Sequence, residues 1–151
     1  MPVDLFTSFA ERVMIRVNDV LDNRECKWPA SADQRGLLQL LKAHRGRDRA
    51  VPLGYACERL KLTPRLVKDL VQDLRLNFRV QICASRDASA GGYYLATTLE
   101  EVIESTEQMW HQAITMLRVC CAMRGSSYDL AEMLGQLRID LEKESFCEEG
   151  K

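Results

Sequence analysis

Arg65, Lys68, Gln72 and Arg75 follow a Thr63-Pro64 pair at spacings of three and four residues, and side chains of those types in that order can read the edge of a base pair. A guanidinium fork matches the two acceptors of guanine, and a carboxamide meets adenine in the same bidentate way. Around this set lie Arg79, Arg86 and the run Arg45-Gly46-Arg47-Asp48-Arg49. Cations of that kind contact phosphates, which position a protein on a duplex without reading it. Other chemistry is not indicated. His44 and His111 have no carboxylate, cysteine or second histidine at metal-ligand spacing, and the adjacent Cys120 and Cys121 would point about 100° apart on a helix. There is no phosphate-binding glycine loop and no nucleophile motif. Neither catalysis nor a metal or other cofactor is expected.

The charge of the chain is segregated. Its formal net charge is -1 over 151 residues, yet residues 31 to 98 hold twelve of the 21 basic side chains and only six of the 22 acidic ones. Residues 99 to 151 hold five basic and eleven acidic. Such asymmetry points to a nucleic-acid-binding part joined to a part with another task. Six cysteines without a C-x-x-C pair read as free thiols in a reducing cytoplasm. No run of 18 apolar residues would span a membrane.

The elements that must carry these residues follow from periodicity and capping. Asp4 to Asn23 places Leu5, Phe6, Phe9, Val13, Val17, Val20 and Leu21 along one helical face, and the segment to Ala30, with Trp28 and Pro29, is a connector. Ser31 with Gln34 forms a capping box for a helix whose core contacts are Leu37, Leu38, Leu40 and Leu41, ending near Gly46. Pro52 opens a short helix running to about Lys61. Thr63 then caps a longer one, with Pro64 at its first position, that ends near Asn77. Two helices joined by so tight a turn make a helix-turn-helix candidate. Next the period becomes extended. Arg79 to Ala84 and Gly91 to Ala96 read as strands of a hairpin whose tip is the polar, small-residue stretch Ser85 to Ala90. Alternation should send one of Tyr93 and Tyr94 to the core and the other outward.

This order of helix, short helix, Thr-Pro-initiated helix and two-stranded wing resembles the winged helix-turn-helix superfamily. The stretch Gly91-Gly92-Tyr93-Tyr94-Leu95-Ala96-Thr97-Thr98 before an acidic helix start is similar to a wing and linker of small phage or prophage DNA-binding proteins. The resemblance covers about half the chain. It implies that the helix from Thr63 enters the major groove and that the hairpin tip meets the backbone or the minor groove. If Leu66, Leu70 and Leu74 face inward, Arg65, Gln72 and Arg79 lie opposite them. Lys68 and Arg75 then occupy one flank, and Asp69 and Asp73 the other.

The last third returns to helix. Thr98 with Glu101 forms a second capping box, and the run continues to about Arg124, where Gly125-Ser126-Ser127 breaks it. A final helix, Tyr128 to Glu144, should fold back as an antiparallel hairpin, leaving residues 145 to 151 as an acidic tail. Leu99, Ile103, Trp110, Ile114, Leu117 and Cys121 share one arc of the long helix. Val102, Met109, Ala113, Met116, Cys120 and Met123 share the next, so about half the circumference is apolar. That excess suggests contact with the winged helix, with the N-terminal helix or with a second subunit; in the last case Val102, Met109, Trp110, Ala113, Met116 and Cys120 are the expected homodimer seam. The chain thus reads as a mainly α winged helix-turn-helix over residues 31–98, with an N-terminal helical extension (1–30) and a C-terminal helical hairpin (99–144). It is expected to be a cytoplasmic protein that reads double-stranded DNA as a transcription regulator or a phage-type replication accessory factor. The alternative is a winged helix that docks a protein partner, or a non-catalytic subunit of a larger assembly.

Overall fold

The structure, a computed structural model, describes residues 7–87, 91–125 and 130–149, with the side chains of 130, 131 and 144–149 outside the description. The elements in order are α1 (Phe9–Leu21), α2 (Ala32–Lys42), a 3-10 turn (Arg47–Arg49), α3 (Leu53–Leu60), α4 (Pro64–Leu76), β1 (Ile82–Ser85), β2 (Gly92–Leu95), α5 (Leu99–Arg124) and α6 (Leu130–Glu149). They form two compact units, residues 1–107 and 108–151.

In the first unit, helix starts are set by side chains that take up free backbone N–H groups. Ser8 accepts from the Glu11 amide at 3.3 Å, and Glu11 accepts from the Ser8 amide at 2.7 Å. This box begins α1 at Phe9, four residues before Val13; the earlier start expected at Asp4, with Leu5 and Phe6, lies outside the described residues. Ser31 and Gln34 form the expected box at α2, at 3.2 and 2.8 Å. Between α3 and α4, Lys61 adopts a left-handed conformation (φ 55°) and the Leu62 amide donates to the Cys57 carbonyl at 3.1 Å. Thr63 then caps α4.

These helices share one core. Val13, Val17 and Val20 of α1 are buried with Leu37, Leu38 and Leu41 of α2, Ala56 of α3 and Val67, Val71 and Leu74 of α4. Phe78, Val80, Ile82 and Leu95 complete it from the wing side. α1 therefore contributes to the same core as the helix-turn-helix. Arg16 secures α1 further, its Nε donating to the Phe78 carbonyl at 2.7 Å.

The wing is an antiparallel pair with Cys83 opposite Tyr94 and Ala84 opposite Tyr93. Its other edge is used too. Val51 and Tyr93 exchange backbone hydrogen bonds at 2.7 and 2.9 Å, and the Gly46 amide donates to the Leu95 carbonyl at 2.9 Å. The basic loop thus begins and ends as a partner of β2. Gly92 is required at this junction: its φ is +151° and a Cβ there would lie 2.1 Å from the Val51 carbonyl oxygen. Both tyrosines are used inward. Tyr94 is fully buried with Cys83 and Ala96, against Phe9 and Val102, while Tyr93 packs half-buried on the main core. The face expected to meet solvent is instead covered by the first turns of α5, where Ser105 Oγ accepts from the Ala84 amide at 3.1 Å. Helix, turn, helix and wing over one core make this a mainly α winged helix-turn-helix.

The second unit consists of the later part of α5 and α6. Ile114, Leu117 and Cys121 are half-buried, and the Cys121 sulfur lies 2.8 Å from Met133 Sδ. Met133 is buried. α6 runs to Glu149, past the end expected at Glu144, so the acidic segment continues the helix.

Candidate nucleic-acid interface

The face that α4 presents is decided by which of its residues are buried. Val67, Val71 and Leu74 are buried and continue in line to Phe78, whereas Leu66 is 49% exposed. The inward line is therefore rotated by about 65° from the expected Leu66-Leu70-Leu74 stripe, at 100° per residue. β-branched Val67 and Val71 pack into the shared core, and the longer Leu66 projects at the edge.

That rotation redistributes the polar residues. Arg65, Asp69, Gln72 and Leu76 occupy the outward face, with exposed Lys68 on its flank. Asp73 is withdrawn from it, accepting from the Gln34 carboxamide of α2 and from the Asn77 carboxamide. Gln34 is itself buried, with its oxygen held by the Ser31 amide, so one side chain caps α2 and ties it to α4. Of the two aspartates that would oppose phosphate, only Asp69 remains on the surface.

Arg75 is the largest departure from the expected base-reading set. It turns along the wing, where its Nε donates to the Ile82 carbonyl at 2.8 Å and its guanidinium lies 6.0 Å from the Tyr93 ring centroid. Burial pushes its pKa below the usual arginine value. Arg79 is exposed in the turn between α4 and β1, at φ 54°, rather than within the wing strand. Arg86 is exposed just past the end of β1; the rest of the tip, residues 88–90, lies outside the described residues. Thr63 Oγ accepts from the Leu66 amide at 3.4 Å, so it serves the helix start.

In the basic loop, Arg45, Arg47 and Arg49 are all exposed. Arg47 is ion-paired with Glu104 of α5, and its amide donates to Glu101 at 3.2 Å. Glu101 also accepts from the Thr97 amide at 2.7 Å and the Thr97 hydroxyl at 3.0 Å. Burial raises the Glu101 pKa, but these backbone and hydroxyl donors outweigh it and hold the carboxyl below its usual value. The capping box expected at Thr98 is present on its hydroxyl side, with Thr98 Oγ accepting from the Glu101 amide at 3.3 Å. The carboxylate reaches Thr97 and the loop.

Of the expected dimer seam, Val102 is half-buried against the wing, whereas Met109, Trp110, Ala113, Met116 and Cys120 are exposed. Among the described residues no three His, Cys, Asp or Glu side chains are grouped to hold a metal ion, and Cys26, Cys57, Cys83, Cys120 and Cys121 are free thiols. No helix among the described residues is long and apolar enough to cross a membrane.

The Gln34–Asp73 hydrogen bond, the Arg75–Ile82 hydrogen bond and the Arg47–Glu104 pair are not visible as local patterns. Only the turn of Arg75 has a signal in the chain: Val67, Val71, Leu74 and Phe78 form an i, i+4, i+7, i+11 series longer than the one through Leu66.

No family model matches the chain, and no curated protein matches it. Two solved structures of S. aureus MepR align with 90% of the chain. MepR bound to ethidium bromide is 16% identical, with 91% of that chain covered and a TM-score of 0.38. A glycine-to-arginine point mutant of MepR is 17% identical, with 87% covered and a TM-score of 0.37.

Proposed function

We propose that this chain binds double-stranded DNA as a winged-helix transcription regulator, with α4 in the major groove and the wing against the backbone. The observation that carries this reading is the exposed α4 face, where Arg65, Lys68 and Gln72 stand free of the core. Arg65 and Gln72 are the base-reading pair. Lys68, Arg79, Arg86, Arg45 and Arg49 neutralise phosphates, and Arg47 does so only on release from Glu104. Asp69 opposes phosphate and narrows the tolerated registers.

The apolar residues exposed on the C-terminal helices favour a homodimer: Met109, Trp110 and Met116 on α5, and Leu134, Leu137 and Leu141 on α6. A two-fold dimer would read paired half-sites about 34–36 Å apart or a multiple of that.

Duplex binding followed across a salt series tests the reading. Affinity should fall steeply with salt, and Arg65→Glu with Lys68→Glu should abolish binding while leaving the helical circular dichroism intact. Absence of binding to any duplex at low salt would sink it. A second reading, a protein-docking winged helix, is favoured by Leu76, which is 68% exposed on the outward face. Under that reading Leu76→Glu, not Arg65→Glu, would release a co-purifying partner.

A further inference from the structure

Arg75 is a cation held against the protein interior, and its bonds run to the wing. Its Nε donates to the carbonyl of Ile82, the first residue of β1, at 2.8 Å. Its guanidinium lies over Tyr93 of β2, 6.0 Å from the ring centroid, and its Nη2 is buried with no hydrogen-bond partner among the described residues. Leaving a guanidinium nitrogen unsatisfied is costly, so this arrangement is not the one that stability alone would select. An aliphatic side chain would fill the same space without that cost. What it would lack is a directional bond from α4 to one strand and a planar contact with the other.

We infer that Arg75 is a positioning residue that latches the wing to α4, so that the DNA contacts of the helix and of the wing are presented at one fixed separation. This rests on the DNA-binding reading above. The latch touches both strands from a single α4 side chain. It lies one helical turn beyond Gln72 in the sequence and on the wing side of the helix. Phosphate contact by Arg86, beyond the end of β1, then depends on Arg75 even though Arg75 touches no DNA. Lysine cannot replace it, because an ammonium has no Nε–H at that position on its stem and no plane to lay on the ring.

The test uses the full chain with Arg75→Lys, which keeps the charge and most of the stem, and Arg75→Met as the variant without charge. Amide hydrogen exchange of the free protein is read at Ile82 to Ser85 and Gly92 to Leu95, against α2 as the internal control. Both variants should speed exchange in the wing by about tenfold or more while α2 is unchanged. Unchanged wing exchange in Arg75→Lys overturns the latch. In duplex binding, Arg86→Ala should weaken wild type but add little to Arg75→Lys, because the wing is already misplaced. Fully additive losses, with base preference altered at one position, would instead make Arg75 a direct reader and overturn the proposal. If the wild-type chain binds no duplex, the DNA-binding reading fails, and the exchange measurement still decides whether the latch exists.

Discussion

The two units of this chain use apolar residues in opposite ways. In residues 1–107 the apolar positions of four helices and a hairpin converge, and Val17, Leu37, Leu38, Leu41, Leu74 and Leu95 are completely buried. In residues 108–151 the helices are as long or longer, yet Trp110, Met116, Leu134, Leu137 and Leu141 are exposed and Met133 is the buried residue among those described. Helix length and apolar content are thus not what makes a core. A two-helix unit has one shared seam, whereas α5 carries two adjacent apolar arcs, and the second arc is left over. The first unit encloses its core among its own helices and wing. The second leaves apolar side chains exposed, and the proposed dimer is placed there for that reason.

Core truncation gives the largest contrast. Leu74→Ala removes a completely buried side chain from the core that α4 shares with α1 and α2, and should cost about 2–5 kcal/mol by urea unfolding, independent of protein concentration. Leu137→Ala, at a residue 39% exposed in the isolated chain, should cost far less at low concentration and progressively more as concentration rises. Equal, concentration-independent losses at the two sites would overturn the proposed association through the second unit.

Next in size is the polar lock of the first unit. Asp73→Ala leaves the Gln34 carboxamide without its acceptor at a position where Gln34 is only 8% exposed. The expected loss is about 1–3 kcal/mol, the cost of an unsatisfied buried donor. Asp73→Asn should recover part of it, because an amide oxygen still accepts. A loss no larger for Asp73→Ala than for a surface alanine substitution would show that Asp73 belongs to the solvent-facing side of α4.

How much of this is legible follows from which forces are local. The caps at Ser31 and Thr63 and the Pro64 start are written in neighbouring residues and are found where the sequence puts them, whereas the first wing strand begins at Ile82, three residues after the expected Arg79. The rotation of α4 is written less plainly, because Leu66 and Val67 are both apolar and the one signal for the inward line is the longer series Val67, Val71, Leu74 and Phe78. Arg75 departs from its expected place for the same reason: a rotation of about 65° carries it from the DNA flank to the wing. The pairing of Val51 with Tyr93 and of Gly46 with Leu95 is hidden because single backbone bridges leave no side-chain period. The continuation of α6 to Glu149 escapes the sequence because its acidic end resembles a tail.

A pH series tests the seam between the wing and the start of α5. The Glu101 carboxyl is held below its usual pKa in the folded state, so its contribution is present above the unfolded carboxylate range and is lost as pH falls through the folded value. Glu101→Gln should therefore match wild type at the acid end and fall behind as pH rises toward neutrality, read as urea midpoints. A constant gap at every pH would mean that the carboxylate charge plays no part in binding Thr97 and the loop.

The smallest effect belongs to the second unit. Arg138 donates to Glu142 one turn on at 3.1 Å, with side chains 81% and 60% exposed. An exposed i,i+4 pair is worth about 0.3–0.5 kcal/mol at most, because water competes for both ends and ordering two long side chains opposes it. Arg138→Ala should thus be nearly silent in the monomer. Arg138 and Glu142 also flank the groove lined by Leu134, Leu137 and Leu141. If this groove is the seam of the proposed dimer, its rim is desolvated on association, and the Arg138–Glu142 contact then counts for more than it does in water. The same substitution should then weaken dimerisation, measured by sedimentation, by more than it changes monomer stability. An Arg138→Ala chain that dimerises as wild type would move the seam off α6 and onto Met109, Met116 and Cys120 of α5.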